Sequence, residues 1–392
     1  MNPRPKILVV DDEPFNIDYL EQELAELDYV TLAANNGQEA LDKVQTDAPD
    51  LILLDIMMPV MDGFTVLAKL KASGSTRDIP VIIISAMNDL KSVVKGVEQG
   101  AEDYLTKPFE PTLLRARIAA SLEKKALRDL QGLYLKGLER EMDIAREIQM
   151  SFLPPSLPKV DGWEIAAYFK AAKEVAGDFY DAFMLPDGNL AIVIADVCGK
   201  GVGAALFMTL FRSLIRSATI PDHFTREKNG RVIAPAVRLL QAIFLTNDYV
   251  FETHGDTSMF ATVFFGILEP TSGNFTYING GNEPPVVVAK NGAITLLDPT
   301  GPVVGAMPKA VFSVKEISLE EGDMLVAFTD GIPDSKNKED EFFGRERLLH
   351  LLQNRNTTPT RLLDKIGAQL HEYTGVSEQF DDMTLLLVKR IG

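Results

Sequence analysis

The chain has 392 residues, 46% of them hydrophobic and 24% charged, with a formal net charge of −17. That composition bounds it as a globular protein of two or three domains with ample core. The acidic balance offers no basic footprint for a phosphate backbone, so nucleic acid is excluded as a first-choice partner. The single cysteine, Cys198, excludes an internal disulfide framework and suits a reducing compartment. The opening apolar run is too short for a signal peptide, and no run approaches the roughly 20 residues that span a bilayer. A cytoplasmic protein without membrane attachment is expected. Charge is unevenly distributed: residues 1–122 carry 11 basic and 20 acidic residues, residues 123–150 six of each, and the remainder 22 and 30.

Residues 6–10, Lys-Ile-Leu-Val-Val, form a short apolar strand that ends abruptly in Asp11-Asp-Glu13. The pattern then alternates: helix 14–27, strand 29–33, helix 37–47, strand 51–54, helix 63–72, strand 80–84, helix 89–99, strand 103–105 and a helix from 110 onward. Strands joined by crossover helices predict a doubly wound, five-stranded parallel sheet of the α/β class, with sites beyond the carboxyl ends of its strands. The unusual residues fall there. Asp11 and Asp12 follow the first strand, Asp55 ends the third, Ser85 ends the fourth and Lys107 follows the fifth. Three carboxylates meeting at one edge repel unless a cation joins them, and hard oxygen donors in an open site favour Mg²⁺. Lys107 offers positive charge to an incoming phosphoryl group, and Ser85 offers a hydroxyl. The plainer alternative is a set of solvated acidic loops.

In these residues, and in Leu53-Leu-Asp-Ile-Met-Met-Pro-Val-Met-Asp-Gly63, the segment resembles a response-regulator receiver domain. The resemblance covers residues 5–122, within a first domain set at 1–122. It implies that Asp55 is the phosphoacceptor and that Asp11 and Asp12 are the acidic pair. It further implies that Asp12, Asp55 and the Met57 carbonyl hold Mg²⁺, and that Ser85, Lys107 and Tyr104 sense the phosphoryl group. A cis peptide at Lys107-Pro108 and a cognate histidine kinase as phosphodonor complete the expectation.

Residues 110–150 hold no breaker except Pro111 at the start, Gly132 and Gly137. Leu127, Leu130 and Tyr134 fit one heptad seam; Leu135, Leu138, Met142 and Ala145 fit another, displaced by one residue. This spacing predicts a long amphipathic helix with a linker at 123–150, and either a short parallel coiled coil with a register discontinuity near the glycines or a single helix packed on its own domains. The coiled coil would make the protein a homodimer. Leu153-Pro-Pro-Ser-Leu-Pro158 ends the helix.

Residues 151–392 then present four acidic stations: Glu174-Val-Ala-Gly-Asp-Phe-Tyr-Asp181, Leu190-Ala-Ile-Val-Ile-Ala-Asp-Val-Cys-Gly-Lys-Gly201, Asp323-Met-Leu-Val-Ala-Phe-Thr-Asp-Gly331 and Phe380-Asp-Asp-Met-Thr-Leu-Leu-Leu-Val388. A solvated turn would explain one aspartate cheaply, whereas buried carboxylates need a partner or a metal. Three stations place carboxylates at strand ends, where a rigid scaffold aims them at one point. Such oxygen donors suit Mg²⁺ or Mn²⁺; the four histidines, His223, His254, His350 and His371, lack metal-ligand spacing. Two divalent ions in such a cluster would activate a water and clamp a phosphoryl group.

Together with Thr257-Ser-Met-Phe-Ala-Thr-Val-Phe264 and Tyr277-Ile-Asn-Gly-Gly-Asn-Glu-Pro-Pro285, these stations resemble the metal-dependent 2C-like Ser/Thr phosphatases, specifically the SpoIIE-type branch. The resemblance implies an α+β domain, a β-sandwich flanked by helices, joined to the receiver by the long helix. It implies that Asp196 bridges two Mn²⁺ or Mg²⁺ ions, that the Val197 carbonyl binds one, that Asp330 and Asp381 bind the other, and that Asp178 holds bound water or touches an ion. Three positions depart from the pattern: Ala176 for a glycine, Cys198 for a serine, taken as a small buried filler, and Asn282 for a histidine. Asp181 is either functional or structural. Residues 219–256 read as a helical excursion with a polar stretch, 221–230, expected to flap near the substrate. The expected whole is a regulator whose aspartyl phosphorylation controls a phosphoserine/phosphothreonine protein phosphatase acting on a phosphorylated anti-sigma-antagonist (STAS) protein. The alternative is a non-catalytic adaptor with the same fold; a DNA-binding regulator is disfavoured.

Overall fold

The computed structural model describes residues 4–86, 90–220, 233–353, 357–375, 377 and 379–392. The chain divides into two compact units, Met1–Glu139 and Arg140–Gly392.

The first unit alternates β1 (Lys6–Val10), α1 (Pro14–Ala25), β2 (Val30–Ala34), α2 (Gly37–Asp47), β3 (Leu51–Asp55), α3 (Gly63–Ala72), β4 (Val81–Ala86), α4 (Leu90–Glu98) and β5 (Asp103–Lys107), then enters α5 (Pro111–Phe152). The strands pair in parallel in the order β2-β1-β3-β4-β5. β1 and β3 are central and buried on both faces, which is why they read as unbroken apolar runs. Their alternation builds two core layers. Leu8, Val10, Ile52 and Leu54 pack with Val66 and Leu67 of α3. Ile7, Val9, Leu51 and Leu53 pack with Leu20 and Leu24 of α1 and with Leu114 and Ile118 of α5. Asn36 and Asp62 cap α2 and α3 by accepting the Glu39 and Thr65 amides at 2.9 and 2.7 Å.

α5 is one continuous helix of 42 residues, about 63 Å long. It passes through Gly132 and Gly137 without a break, so the offset between the two seams is one of side-chain register within a single helix. Leu127, Leu130, Tyr134, Leu135 and Leu138 are all exposed, while Lys124 and Arg128 pair with Glu102 and Lys125 with Asp50 of the first unit. The helix ends at Phe152, ahead of Pro154 and Pro155.

The second unit comprises β6 (Trp163–Lys170), β7 (Phe179–Met184), β8 (Leu190–Val197), α6 (Val202–Thr219), α7 (Pro235–His254), β9 (Ala261–Leu268), β10 (Asn274–Gly280), β11 (Val286–Val288), β12 (Ile294–Leu296), β13 (Lys315–Ser318), β14 (Met324–Phe328), α8 (Arg345–Leu352), α9 (Pro359–Thr374) and β15 (Met383–Arg390). Two antiparallel five-stranded sheets form, ordered β13-β10-β9-β8-β7 and β12-β11-β14-β15-β6. Ile192, Ile194, Phe264 and Phe275 of the first interdigitate with Leu325, Ala327, Leu386 and Val388 of the second. The opposite faces are covered by helices: Phe211, Leu239 and Ile243 of α6 and α7 on one sheet, Leu348, Leu363 and Ile366 of α8 and α9 on the other. This is the expected helix-flanked sandwich. Within the expected excursion, 219–256, the described helix is α7, while the stretch 221–230 expected to flap lies outside the described residues.

Candidate functional site

In the first unit, the carboxyl ends of β1, β3, β4 and β5 bring the expected residues together around a cavity of about 310 Å³ lined by Asp12, Asp55, Met57, Ser85 and Lys107. The Lys107 ammonium lies 2.6 Å from Asp55 Oδ1 and 2.8 Å from Asp11 Oδ2. The Met57 amide donates to Asp55 Oδ2 at 2.8 Å. Asp11 is fully buried and also accepts the Glu13 amide and Asn16 Nδ2, each at 3.0 Å, so it anchors Lys107 from behind. Burial pushes the Asp55 carboxyl up, against the pull of Lys107. Burial also works against the Lys107 ammonium, but the Asp11 and Asp55 carboxylates outweigh it and raise its pKa. The Ser85 hydroxyl is buried with no hydrogen-bond partner. An unpaired buried hydroxyl is costly, and an incoming phosphoryl oxygen would satisfy it. Asp12 is exposed at the rim, where its carboxylate with Asp55 and the Met57 carbonyl would form the all-oxygen donor set that suits Mg²⁺. Tyr104 is half-buried, with the Arg117 guanidinium 5.0 Å from its ring centroid, and the Lys107-Pro108 peptide is cis.

In the second unit, strand register explains the acidic stations. Phe179 pairs with Ala195, which sets Asp178 and Asp196 across from one another where β7 begins and β8 ends. Phe328 pairs with Leu385, which brings Thr329-Asp330 beside Asp381-Asp382-Met383-Thr384 on the other sheet. The two sheets are stitched there. Thr329 and Thr384 hydroxyls donate to Asp178 Oδ2 at 2.7 and 2.6 Å. Asp382 accepts the amides of Ala172 and Gly177, both at 2.7 Å. Two glycines are required by close approach: a Cβ at Gly177 would stand 2.8 Å from the Val197 carbonyl, and one at Gly331 would overlap the Asp382 carbonyl.

The carboxyls raise one another's pKa. Asp196 is pushed up to about 7, by burial first and then by Asp330, Asp381 and Asp382, with hydrogen bonding to Asp178 opposing. Asp178, buried and facing Asp196, is held well above the usual carboxylate range despite its two threonine donors. Desolvation and then the Asp381, Asp334 and Glu283 charges raise Asp330, although solvent reaches and screens its side chain. Burial also raises Asp382, against its three backbone donors. Lys200 is the cation that engages the cluster, 3.0 Å from Asp381 Oδ2 and 3.5 Å from the Phe380 ring centroid. Among the described residues no set of three or more His, Cys, Asp or Glu side chains already encircles one point as a metal cage. The donor set nonetheless fits Mg²⁺ or Mn²⁺: all oxygen, crowded with like charge and free of histidine and thiolate.

The other singled-out residues have structural partners. Asp181, 1% exposed, pairs with Arg212 at 3.0 Å and Arg216 at 2.8 Å, which gives it a structural role. The Asn282 amide nitrogen donates to the carbonyls of Glu283 and Phe328, tying the loop after β10 to the end of β14. Cys198 is a correction. It is half-buried rather than enclosed: its thiol accepts the Phe260 amide at 3.3 Å and points to the Ser258 carbonyl at 3.6 Å, pinning the turn after β8. Sequence reasoning passed over Thr329, Thr384 and Gln149 and gave Asp382 no role beyond its place in the fourth station, although each threonine lies within three residues of an aspartate already chosen. Gln149, near the end of α5, bonds both backbone groups of Ala176.

A receiver-type active edge on a doubly wound sheet, followed by a carboxylate cluster at the edge of a helix-flanked sandwich, defines a response regulator with a PPM-type output domain. Residues 7–119 match the response regulator receiver domain, and residues 186–391 match the Stage II sporulation protein E (SpoIIE) family over more than half of the chain. The chain belongs to the SpoIIE family. It is 45% identical over 267 residues to Protein IcfG of Synechocystis sp., covering 65% of this chain and 42% of that protein. It is 34% identical over 224 residues to the response regulator PleD of Caulobacter vibrioides, covering 55% of this chain and 49% of PleD. The chain thus spans less than half the length of these relatives. In three dimensions it is similar to the SiaA-PP2C domain of Pseudomonas aeruginosa, with a TM-score of 0.54 at 22% identity, covering 66% of this chain and 99% of that one, a likeness of fold. Among the described residues no helix is long and apolar enough to cross a membrane.

Proposed function

We propose that the protein is a metal-dependent phosphoserine/phosphothreonine protein phosphatase switched by phosphorylation of Asp55. The observation that carries this reading is the convergence of Asp178, Asp196, Asp330 and Asp381 on one edge of the sandwich, where burial and then the neighbouring carboxylates push Asp196 up to about 7. In this reading Asp196 would help hold both divalent ions, the Val197 carbonyl one of them, and Asp330 and Asp381 the other. Bound there, the ions supply Lewis acidity and positive charge for in-line displacement at phosphorus. The chain's own part is positional. Thr329 and Thr384 orient Asp178, Asp382 fixes the Ala172–Asp178 loop, and Lys200, released from Asp381, offers a cation to the substrate phosphate. In the receiver, Asp55 takes a phosphoryl group from a histidine kinase with Mg²⁺ held by Asp12, Asp55 and the Met57 carbonyl. Lys107 and Ser85 meet the new charge, and Tyr104 responds. A phosphorylated STAS-type regulatory protein is the proposed substrate, and α5 the proposed homodimer contact. The domain limits that go with this reading are 1–122, 123–150 and 151–392.

The Lys200–Asp381 ion pair favours a second reading, a binding-only adaptor in which Lys200 takes the place of a cation. Turnover of p-nitrophenyl phosphate with Mn²⁺ separates the two. The phosphatase reading expects turnover abolished by EDTA and by Asp196→Asn, with Asp330→Asn and Asp381→Asn weakening Mn²⁺ affinity as well as rate. EDTA-insensitive turnover that survives in Asp196→Asn contradicts it.

A further inference from the structure

Gln149 is 6% exposed on a stretch of α5 whose neighbours Ile148 and Met150 are largely open to solvent. Its side-chain amide donates to the Ala176 carbonyl at 2.7 Å and accepts the Ala176 amide at 2.9 Å. This two-point clamp copies a backbone pairing, with both polar atoms of one side chain spent on one residue. The residue it grips leads directly into the site. Ala176 is fully buried; the next amide, Gly177, donates to Asp382, and the next side chain, Asp178, takes the two threonine hydroxyls. Gly177 also lies so close to the Val197 carbonyl that a displacement of this strip would disturb that backbone as well. Besides Gln149, the chain just past α5 is held by Leu153, which is buried with Phe179 and Phe183. An apolar contact of that kind tolerates small rotations, whereas a bidentate hydrogen bond does not.

We propose that Gln149 is the positioning residue through which the state of α5 is passed to the Ala176–Asp178 strip. With the clamp made, Asp178 and the Val197 carbonyl are held ready; a shift or rotation of α5 that breaks it loosens the strip and weakens metal binding. The proposal deepens the phosphatase reading and rests on it for its consequence in rate, while the clamp itself is testable without catalysis.

The test uses the full chain with Gln149→Met, which keeps the volume and removes both bonds, and Gln149→Glu, which keeps an acceptor and removes the donor. Hydrogen exchange is followed on the peptide spanning 172–178, and Mn²⁺ half-saturation by calorimetry and by p-nitrophenyl phosphate turnover. Circular dichroism and beryllofluoride binding by the receiver confirm that both variants are folded. In Gln149→Met, exchange of that peptide is expected to rise at least tenfold while the β8 peptide is unchanged. Mn²⁺ half-saturation is expected to rise about tenfold, the loss typical when a group supporting a metal ligand is removed, with KM for p-nitrophenyl phosphate unchanged at saturating Mn²⁺. Beryllofluoride should alter exchange at 172–178 in the wild type and leave it unaltered in Gln149→Met. Gln149→Glu should fall between. Unchanged exchange, or an exchange response to beryllofluoride that survives in Gln149→Met, overturns the proposal. A wild type that neither binds Mn²⁺ nor turns over overturns the phosphatase reading instead, and the exchange data still decide on Gln149.

Discussion

At the scale of single residues, the carboxylate cluster couples protons to stability and, in the proposed function, to metal. Asp196, Asp178, Asp330 and Asp382 all have folded-state pKa values above the ordinary carboxylate range, Asp196 at about 7. Between the unfolded value near 4 and those raised values, the folded chelated protein binds more protons than the unfolded one. Stability contributed by these groups is therefore fully present below about pH 4 and is lost as pH rises toward 7. In EDTA, the urea midpoint of the second unit should shift upward in Asp196→Asn relative to wild type at pH 7, and the two should converge toward pH 4; Mn²⁺ should reverse the wild-type deficit. A midpoint difference independent of pH contradicts the coupling. Asp181 behaves otherwise. Removing it leaves the largely buried Arg212 guanidinium without its partner, so Asp181→Ala should cost about 3 kcal/mol while Mn²⁺ affinity changes less than twofold. Calorimetric unfolding and Mn²⁺ titration of that variant check both halves. The aspartates were legible in the sequence only as a set, because a solvated turn explains one of them cheaply and four acidic stations together call for a shared cation. Thr329, Thr384 and Gln149 were not, since a threonine at a strand end or a glutamine in a polar helix has an ordinary explanation until its partner across the fold is known. The thiol of Cys198 was misread for the same reason: residue type suggested burial, and the turn it pins was visible only in three dimensions.

At the scale of elements, the receiver strands and helices match the alternation of apolar runs and polar helices to within a few residues. Central parallel strands buried on both faces leave little ambiguity in sequence. The sandwich was less legible from pattern alone, because β11 and β12 are only three residues each, and their pairing depends on β14 rather than on local propensity. α5 was legible as a helix, and Leu127, Leu130, Tyr134, Leu135 and Leu138 of its apolar seams proved exposed. Under the proposed homodimer, Leu127, Leu130, Leu135 and Leu138, open to water in the single chain, would be buried against a second copy. Replacing Leu130, Leu138 and Met142 together with lysine should give monomers in sedimentation, with basal turnover retained and the response to beryllofluoride lost. A triple variant that stays dimeric and responsive would place the signal elsewhere than in α5.

At the scale of the whole molecule, one helix runs from the unit that holds the Asp55–Lys107 edge into the unit that holds the carboxylate cluster. A tenfold to hundredfold change in rate needs only about 1.4–2.8 kcal/mol of difference between the two states of the connection, within the usual range of coupling between sites. Breaking one buried bidentate clamp supplies energy of that order. Phosphorylation is expected to raise the rate. The most direct measurement is the release of phosphate from a phosphoserine peptide by the full chain with Mn²⁺, before and after beryllofluoride and Mg²⁺, in wild type and Asp55→Asn. A receiver-controlled metal phosphatase predicts EDTA-sensitive release that rises at least tenfold with beryllofluoride in the wild type and not at all in Asp55→Asn. Release that ignores EDTA, or that responds equally in both proteins, would contradict it.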